Sequence, residues 1–148
     1  MSEHKRMAAL FAALALGLTG CGTTSASTAI EAGEGPPAKV EAIAGKSMKS
    51  VKLTDLASKR IGIETVEIAA APSGTTVPYS AVLYSADGKT WVYALTAELT
   101  FVREQVTVAN VGGDKGSTAF LSAGPAAGTT VVKTGVIELY GAELGVGK

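Results

Sequence analysis

Two neighbouring stretches decide the fold: Thr90-Trp91-Val92-Tyr93-Ala94-Leu95 and Leu99-Thr100-Phe101-Val102-Arg103-Glu104-Gln105-Val106-Thr107-Val108. In the first, Trp91, Tyr93 and Leu95 fall on one face. In the second, Val102, Val106 and Val108 face one way and Arg103, Gln105 and Thr107 the other. A side-chain period of two is that of a strand. Asp87-Gly88 ahead of them is a hairpin turn, and Thr75 to Tyr84 before that turn is extended, with Pro78 at an edge or bend. Downstream, Gly112-Gly113-Asp114 turns the chain into Ser117 to Leu121. Gly124-Pro125-Ala126-Ala127-Gly128 is a second wide turn before Thr129 to Lys133, and Val136 to Tyr140 reads as a last strand or a short helix. Short strands with a turn about every ten residues predict an all-β domain, a small antiparallel barrel or roll of about six or seven strands.

Upstream, Ile63 to Ile68 is strand-like, with Glu64, Val66 and Ile68 on one face, and Ala69 to Gly74 breaks the pattern. One short helix precedes it. Thr54 is a good N-cap, Asp55 sits in the first turn, Lys59 and Arg60 in the last, and Gly62 suits a left-handed cap. The β-domain therefore spans residues 51–148.

The start of the chain reads differently. Lys5 and Arg6 precede the apolar run Ala8 to Leu18, which is about half of the roughly 20 residues a helix needs to cross a bilayer. A basic start and a short apolar stretch mark residues 1–20 as a signal peptide. Leu18-Thr19-Gly20-Cys21 resembles the bacterial lipobox, which implies diacylation of Cys21 and cleavage just before it. Residues 21–50 are rich in Gly, Ala, Ser, Thr and Pro and are expected to be a disordered tether, with a span of about 30 Å if flexible. The alternative is that Val40, Ile43 and Met48 form a short docking turn.

Inventory narrows the chemistry. His4 is the only histidine and leaves with the leader, and the only cysteine becomes the lipid anchor. Zinc or copper sites on His and Cys, and Ser-His-Asp or Cys-His catalysis, are thereby excluded in the mature domain. The 13 basic and 13 acidic residues lose Lys5, Arg6 and Glu3, which leaves one excess acid and no basic face for nucleic acid. No cofactor is expected beyond the lipid on Cys21.

Val77 to Gly147 resembles the C-terminal region of periplasmic adaptor subunits, the membrane fusion proteins of RND-type efflux pumps. The resembling pieces are VPYSAVLYSADGKTWVYAL, FVREQVTV, LSAGPAAGTTVV and GVIELYGAELGVG. VKLTDLASKRIGIETVEI, Val51 to Ile68, resembles the segment that supplies the first strand of the same membrane-proximal domain. In that family a lipoyl-like module, a helical hairpin and a barrel lie between these two segments. Here the interval is only Ala69 to Thr76. The resemblance thus implies a truncated form that lacks the hairpin reaching an outer-membrane channel.

The expected function is that of a membrane-tethered, non-catalytic module on the extracytoplasmic side of a membrane. Its partner would be an inner-membrane transporter or a full-length adaptor. The competing reading is a free-standing lipoprotein that binds a small ligand or cation in the barrel mouth. Candidate partner contacts are Trp91, Tyr93, Tyr140, Glu143 and Leu144, although large aromatics placed like Trp91 and Tyr93 on one face of a hairpin strand are more often core. Glu138 and Glu143, five residues apart around a glycine, have no assured common face for acid–base work. The apolar, Gly-rich tail Leu139 to Gly147 either tucks back onto the barrel or serves as a binding peptide.

Overall fold

The computed structural model describes residues 35–146; the leader, Cys21 and the first part of the tether lie outside the described residues. In chain order the elements are β1 (Ala38–Ala42), β2 (Lys49–Leu53), α1 (Asp55–Ile61), β3 (Glu64–Glu67), β4 (Ala69–Ala71) and β5 (Gly74–Pro78). They continue as β6 (Leu83–Tyr84), β7 (Thr90–Ala97), β8 (Thr100–Gly112), β9 (Thr118–Ala123), β10 (Thr130–Thr134) and α2 (Val136–Leu144). Among the described residues no helix is long and apolar enough to cross a membrane.

Seven strands form an antiparallel path in the order β3–β10–β7–β8–β9–β5–β4. The two ends of that path are one continuous run of chain, because only Ile68 separates β3 from β4. The run ladders with β10 over Glu64–Glu67 and with β5 over Ala69–Ala71. At the join the Ile68 N–H donates to Thr129 O at 2.9 Å, and its carbonyl accepts from the Gly128 N–H at 2.8 Å. The sheet therefore nearly closes into a barrel, which removes most of its raw edges. β8 turns the corner on the far side. Its first half pairs with β7 and its second with β9, and register slips around Val108 mark the bulged bend between them.

Side-chain alternation divides the apolar residues into two layers. Ile68, Val77, Val92, Ala94, Val106, Ala119, Leu121 and Val131 point inward from every stave and fill the barrel. Small residues at Ala94 and Ala119 suit so narrow an interior. The alternate residues Trp91, Tyr93, Phe101 and Val132 point outward. They are covered by β2, α1 and α2, through Val51, Leu53, Ala57, Val136 and Leu139. Each buried apolar side chain of this size contributes about 1.5–3 kcal/mol relative to exposure.

The all-β barrel and the first helix follow the sequence. Thr54 Oγ1 accepts from Ala57 N–H at 3.2 Å, and Gly62 (φ 72°, ψ 44°) closes α1 in the left-handed region. Asp87-Gly88 forms the hairpin turn between β6 and β7. Four expectations need correction. Within the described residues the expected tether is structured: β1 pairs with β2 from Ala38↔Leu53 to Ala42↔Lys49, and Val40 and Met48 pack against the outer layer. Ala69–Ala71 is a strand, because β5 offers it a complete ladder despite its weak β propensity. Thr75 to Tyr84 is interrupted by a 3-10 turn at Tyr79–Ala81 directly after Pro78. Of the two readings of Val136 to Tyr140 the helix is the one found, so α2, capped by Gly145 in the left-handed region, is a second helix beside the one short helix expected.

The β4–β5 hairpin depends on Gly74. Its φ of +129° suits only glycine, and a Cβ there would lie 2.1 Å from the carbonyl oxygen of Leu121 on β9. Gly74→Ala should lower stability by about 3 kcal/mol in urea unfolding. Gly128→Ala, at φ +88° with open space around it, should cost about 1 kcal/mol. Equal losses at the two positions would contradict this packing.

Candidate functional site

The tail helix carries one charge on its buried face. Glu143 is 3% exposed, although it lies in the last turn of α2, where the helix dipole disfavours an anion. The molecule compensates with three donors. Tyr93 of β7 donates its hydroxyl to Oε2 at 2.6 Å, Arg103 of β8 donates through Nη2 to Oε1 at 3.0 Å, and the Lys49 backbone N–H of β2 donates to Oε1 at 3.3 Å. Arg103 Nε also lies 2.8 Å from Oε2, but without the alignment of a hydrogen bond, so that contact is ionic.

Hairpin register explains why these groups meet. Tyr93 stands directly opposite Arg103, and Trp91 opposite Gln105, so Trp91, Tyr93 and Arg103 share the outer face of the β7–β8 ladder. Tyr140 and Glu143, three residues apart, share the face of α2 that covers it. The Arg103 guanidinium is stacked between the Trp91 ring at 4.6 Å and the Tyr140 ring at 5.2 Å. Trp91 Nε1 donates to Ser85 Oγ at 2.8 Å, and Ser85 donates to Asp87 in the hairpin turn. That hydroxyl and neighbouring Lys89 hold the Asp87 carboxyl down at about 2. Burial, then donation to the Glu143 carboxylate, pushes the Tyr93 phenol far above its ordinary value of 10.0.

Four of the five candidate residues thus gather at one place, with a role the sequence does not reveal. Trp91, Tyr93 and Glu143 are buried and Tyr140 half-buried, so they clamp α2 onto the barrel and do not present a surface. Leu144 alone is exposed, at 58%. Glu138 is exposed and Glu143 buried, so the two carboxylates do not converge. Arg103 is the residue sequence reasoning passed over. Its signal was the register that sets it opposite Tyr93, together with a lone charge, Glu143, in an otherwise apolar tail. A carboxylate already engaged by an arginine, a phenol and a backbone amide is a structural acceptor and not a poised base. Among the described residues no group of three or more His, Cys, Asp or Glu side chains is placed to hold a metal ion. Comparison with protein-family models, with curated proteins and with solved structures finds no match to this chain.

Removing one partner of this pair leaves a charge stranded under the helix. Glu143→Gln should therefore cost about 3 kcal/mol, and Tyr93→Phe about 1.5–3 kcal/mol, as befits a bond to a charged acceptor. Because the Tyr93 proton is held more tightly in the folded chain, its contribution is complete below pH 10 and declines as pH rises beyond that value. Chemical denaturation at graded pH should show wild type losing stability above pH 10 by up to about 1.4 kcal/mol per pH unit more steeply than Tyr93→Phe. Parallel curves for the two proteins would remove the phenol–carboxylate bond from the account.

Proposed function

We propose that this chain is a lipid-tethered, non-catalytic lipoprotein module that docks on an envelope transporter, as a shortened relative of the adaptor membrane-proximal domain. The observation that carries the reading is that the two adaptor-like segments build one body. Val51–Ile68 supplies β2, which ladders with β8, and β3, which ladders with β10; both β8 and β10 belong to Val77–Gly147. The interval where an adaptor carries its additional modules is here the tight β4–β5 hairpin, turned by Pro72-Ser73. A chain cut at that point keeps the membrane-proximal body intact and loses only its reach.

The outward face of α2 supplies a surface for such docking. Ile137 and Leu144, seven residues apart on one side of the helix, are 67% and 58% exposed. Glu143 and Leu139 on the opposite side hold the helix in place. The competing reading, a ligand held in the barrel mouth, is disfavoured by an interior filled with Ile68, Val77, Val92, Leu121 and Val131. The short tether fits a partner that rises from the same membrane.

A photo-crosslinking residue at position 137 or 144 in living cells tests the reading. The expected adduct contains an inner-membrane transporter or a full-length adaptor, and Cys21→Ser should both abolish it and move the chain out of the membrane fraction. An intact Cys21 chain that yields no such adduct, or a Cys21→Ser chain that stays with the membrane, would overturn it.

A further inference from the structure

Among the described residues the first strand ends the sheet, and β1 ladders with β2 alone. Hydrogen-bond parity identifies the groups left on its outer side. Thr54 N–H donates to Pro37 O at 3.1 Å, so in the alternating antiparallel ladder Pro37, Lys39 and Glu41 turn their polar backbone groups toward β2. The N–H and C=O groups of Ala38, Val40 and Ala42 therefore point away from it. A mostly apolar groove of about 580 Å³ runs beside this edge, lined by Pro36, Pro37, Ala38, Lys39, Val40, Ala142 and Val146. Val146, just beyond the Gly145 cap of α2, is 73% exposed.

We infer that this edge is a self-association site, and that its occupant is β1 of a second copy of the chain. The segment Ala38-Lys39-Val40-Glu41-Ala42 is complementary to itself when reversed. Laid antiparallel about a two-fold axis through Val40, two such strands set Val40 opposite Val40. The same register sets Ala38 opposite Ala42, and Lys39 of each copy opposite Glu41 of the other. The hydrogen-bond phase agrees with this register. A pair centred on Val40 is a hydrogen-bonded pair, and the next two fall on Ala38 and Ala42, the same residues whose backbone groups face outward. Each of these N–H groups then gains an acceptor.

Charge selects this arrangement over others. Lys39 and Glu41 lie on the solvent side, 69% and 58% exposed, and now pair with each other within one strand at 2.8 Å. Exchange of partners across the two-fold keeps both charges neutralised. A parallel pairing in register would set lysine against lysine and glutamate against glutamate, which is unfavourable. An arbitrary peptide lacks this match, whereas a second copy has it by construction. On the inner side, Val40 of the second copy enters the groove next to Val146. The result is one sheet continuous through both molecules, an isologous contact that closes as a dimer and does not propagate. The inference stands apart from the transporter reading, since it uses no residue of the outward face of α2.

Sedimentation equilibrium of the full-length chain in density-matched detergent tests it. Wild type is expected to show a concentration-dependent monomer–dimer equilibrium. Lys39→Glu and Glu41→Lys each convert two opposite-charge pairs into like-charge pairs, and each variant alone should dissociate at least about tenfold more readily. An equimolar mixture of the two variants restores every pair as Glu against Lys and should regain wild-type affinity as a heterodimer. Both positions are exposed, so a circular dichroism melt should match wild type. A wild type that stays monomeric, single reversals that leave the dimer unchanged, or a mixture that does not reassociate would each overturn the proposal.

Discussion

A small sheet has to dispose of its edges, and here one bent strand joins both ends of the seven-strand path. Residues 64–71 pair with β10 along their first half and with β5 along their second, and Ile68 at the bend bonds with the loop before β10 through both its backbone groups. Everything else follows from that closure. It buries Ile68, Val77, Leu121 and Val131 against one another, and it fixes which face of β7 and β10 looks outward. An open sheet of the same sequence would expose the backbone of β10 and β5 and leave the interior residues without a common centre. Lys133 and Thr134, which engage the Glu64 carboxylate from β10, fasten the start of this stave at the rim.

The outer layer is organised by charge instead. α2 is short, has Gly135 as an N-cap without a capping side chain, and carries an acid where its dipole is least accommodating, so it has little to hold it as an isolated helix. Its position is set by apolar burial of Val136 and Leu139 and by a single well-coordinated carboxylate. Such a pair adds less to stability than its distances suggest, because both ions were well solvated before folding. What it adds here is orientation: only one rotation of α2 brings Glu143 to Arg103 between the two rings. That rotation is the one that leaves Ile137 and Leu144 facing out.

Where local signals agreed with the fold, the sequence was readable. Thr54 and Gly62 bracket α1, Asp87-Gly88 turns the β6–β7 hairpin, and runs of β-branched and aromatic residues mark β7 and β8. The unreadable parts owe their structure to distant partners. β1 lies in a Pro- and Ala-rich stretch with only Val40 as apolar bulk, and it is a strand because Val51 lies beside it in a neighbouring ladder. Three consecutive alanines become β4 because β5 supplies the bonds. The β7–β8 turn has Glu98-Leu99 where glycine or asparagine is usual. Leu99 takes φ 50° there, and its carbonyl accepts the Leu53 N–H of β2. The site was half legible. Trp91 and Tyr93 were readable as core aromatics, but what buries them was not: the cover is a tail helix whose charged residue, Glu143, meets Arg103 only through the register of a distant hairpin. The barrel itself needed no such help.

The stave at residues 64–71 belongs to the barrel as fully as β7 and β8 do. Amide hydrogen exchange resolved by NMR reads this directly at Ile68, whose N–H bonds to Thr129 O across the closure. In a closed barrel the Ile68 amide is expected to exchange only on global unfolding, with the same free energy as the amides of β7 and β8. Exchange at the rate of open chain while β7 and β8 stay protected would contradict closure, and with it the single body on which the functional reading rests.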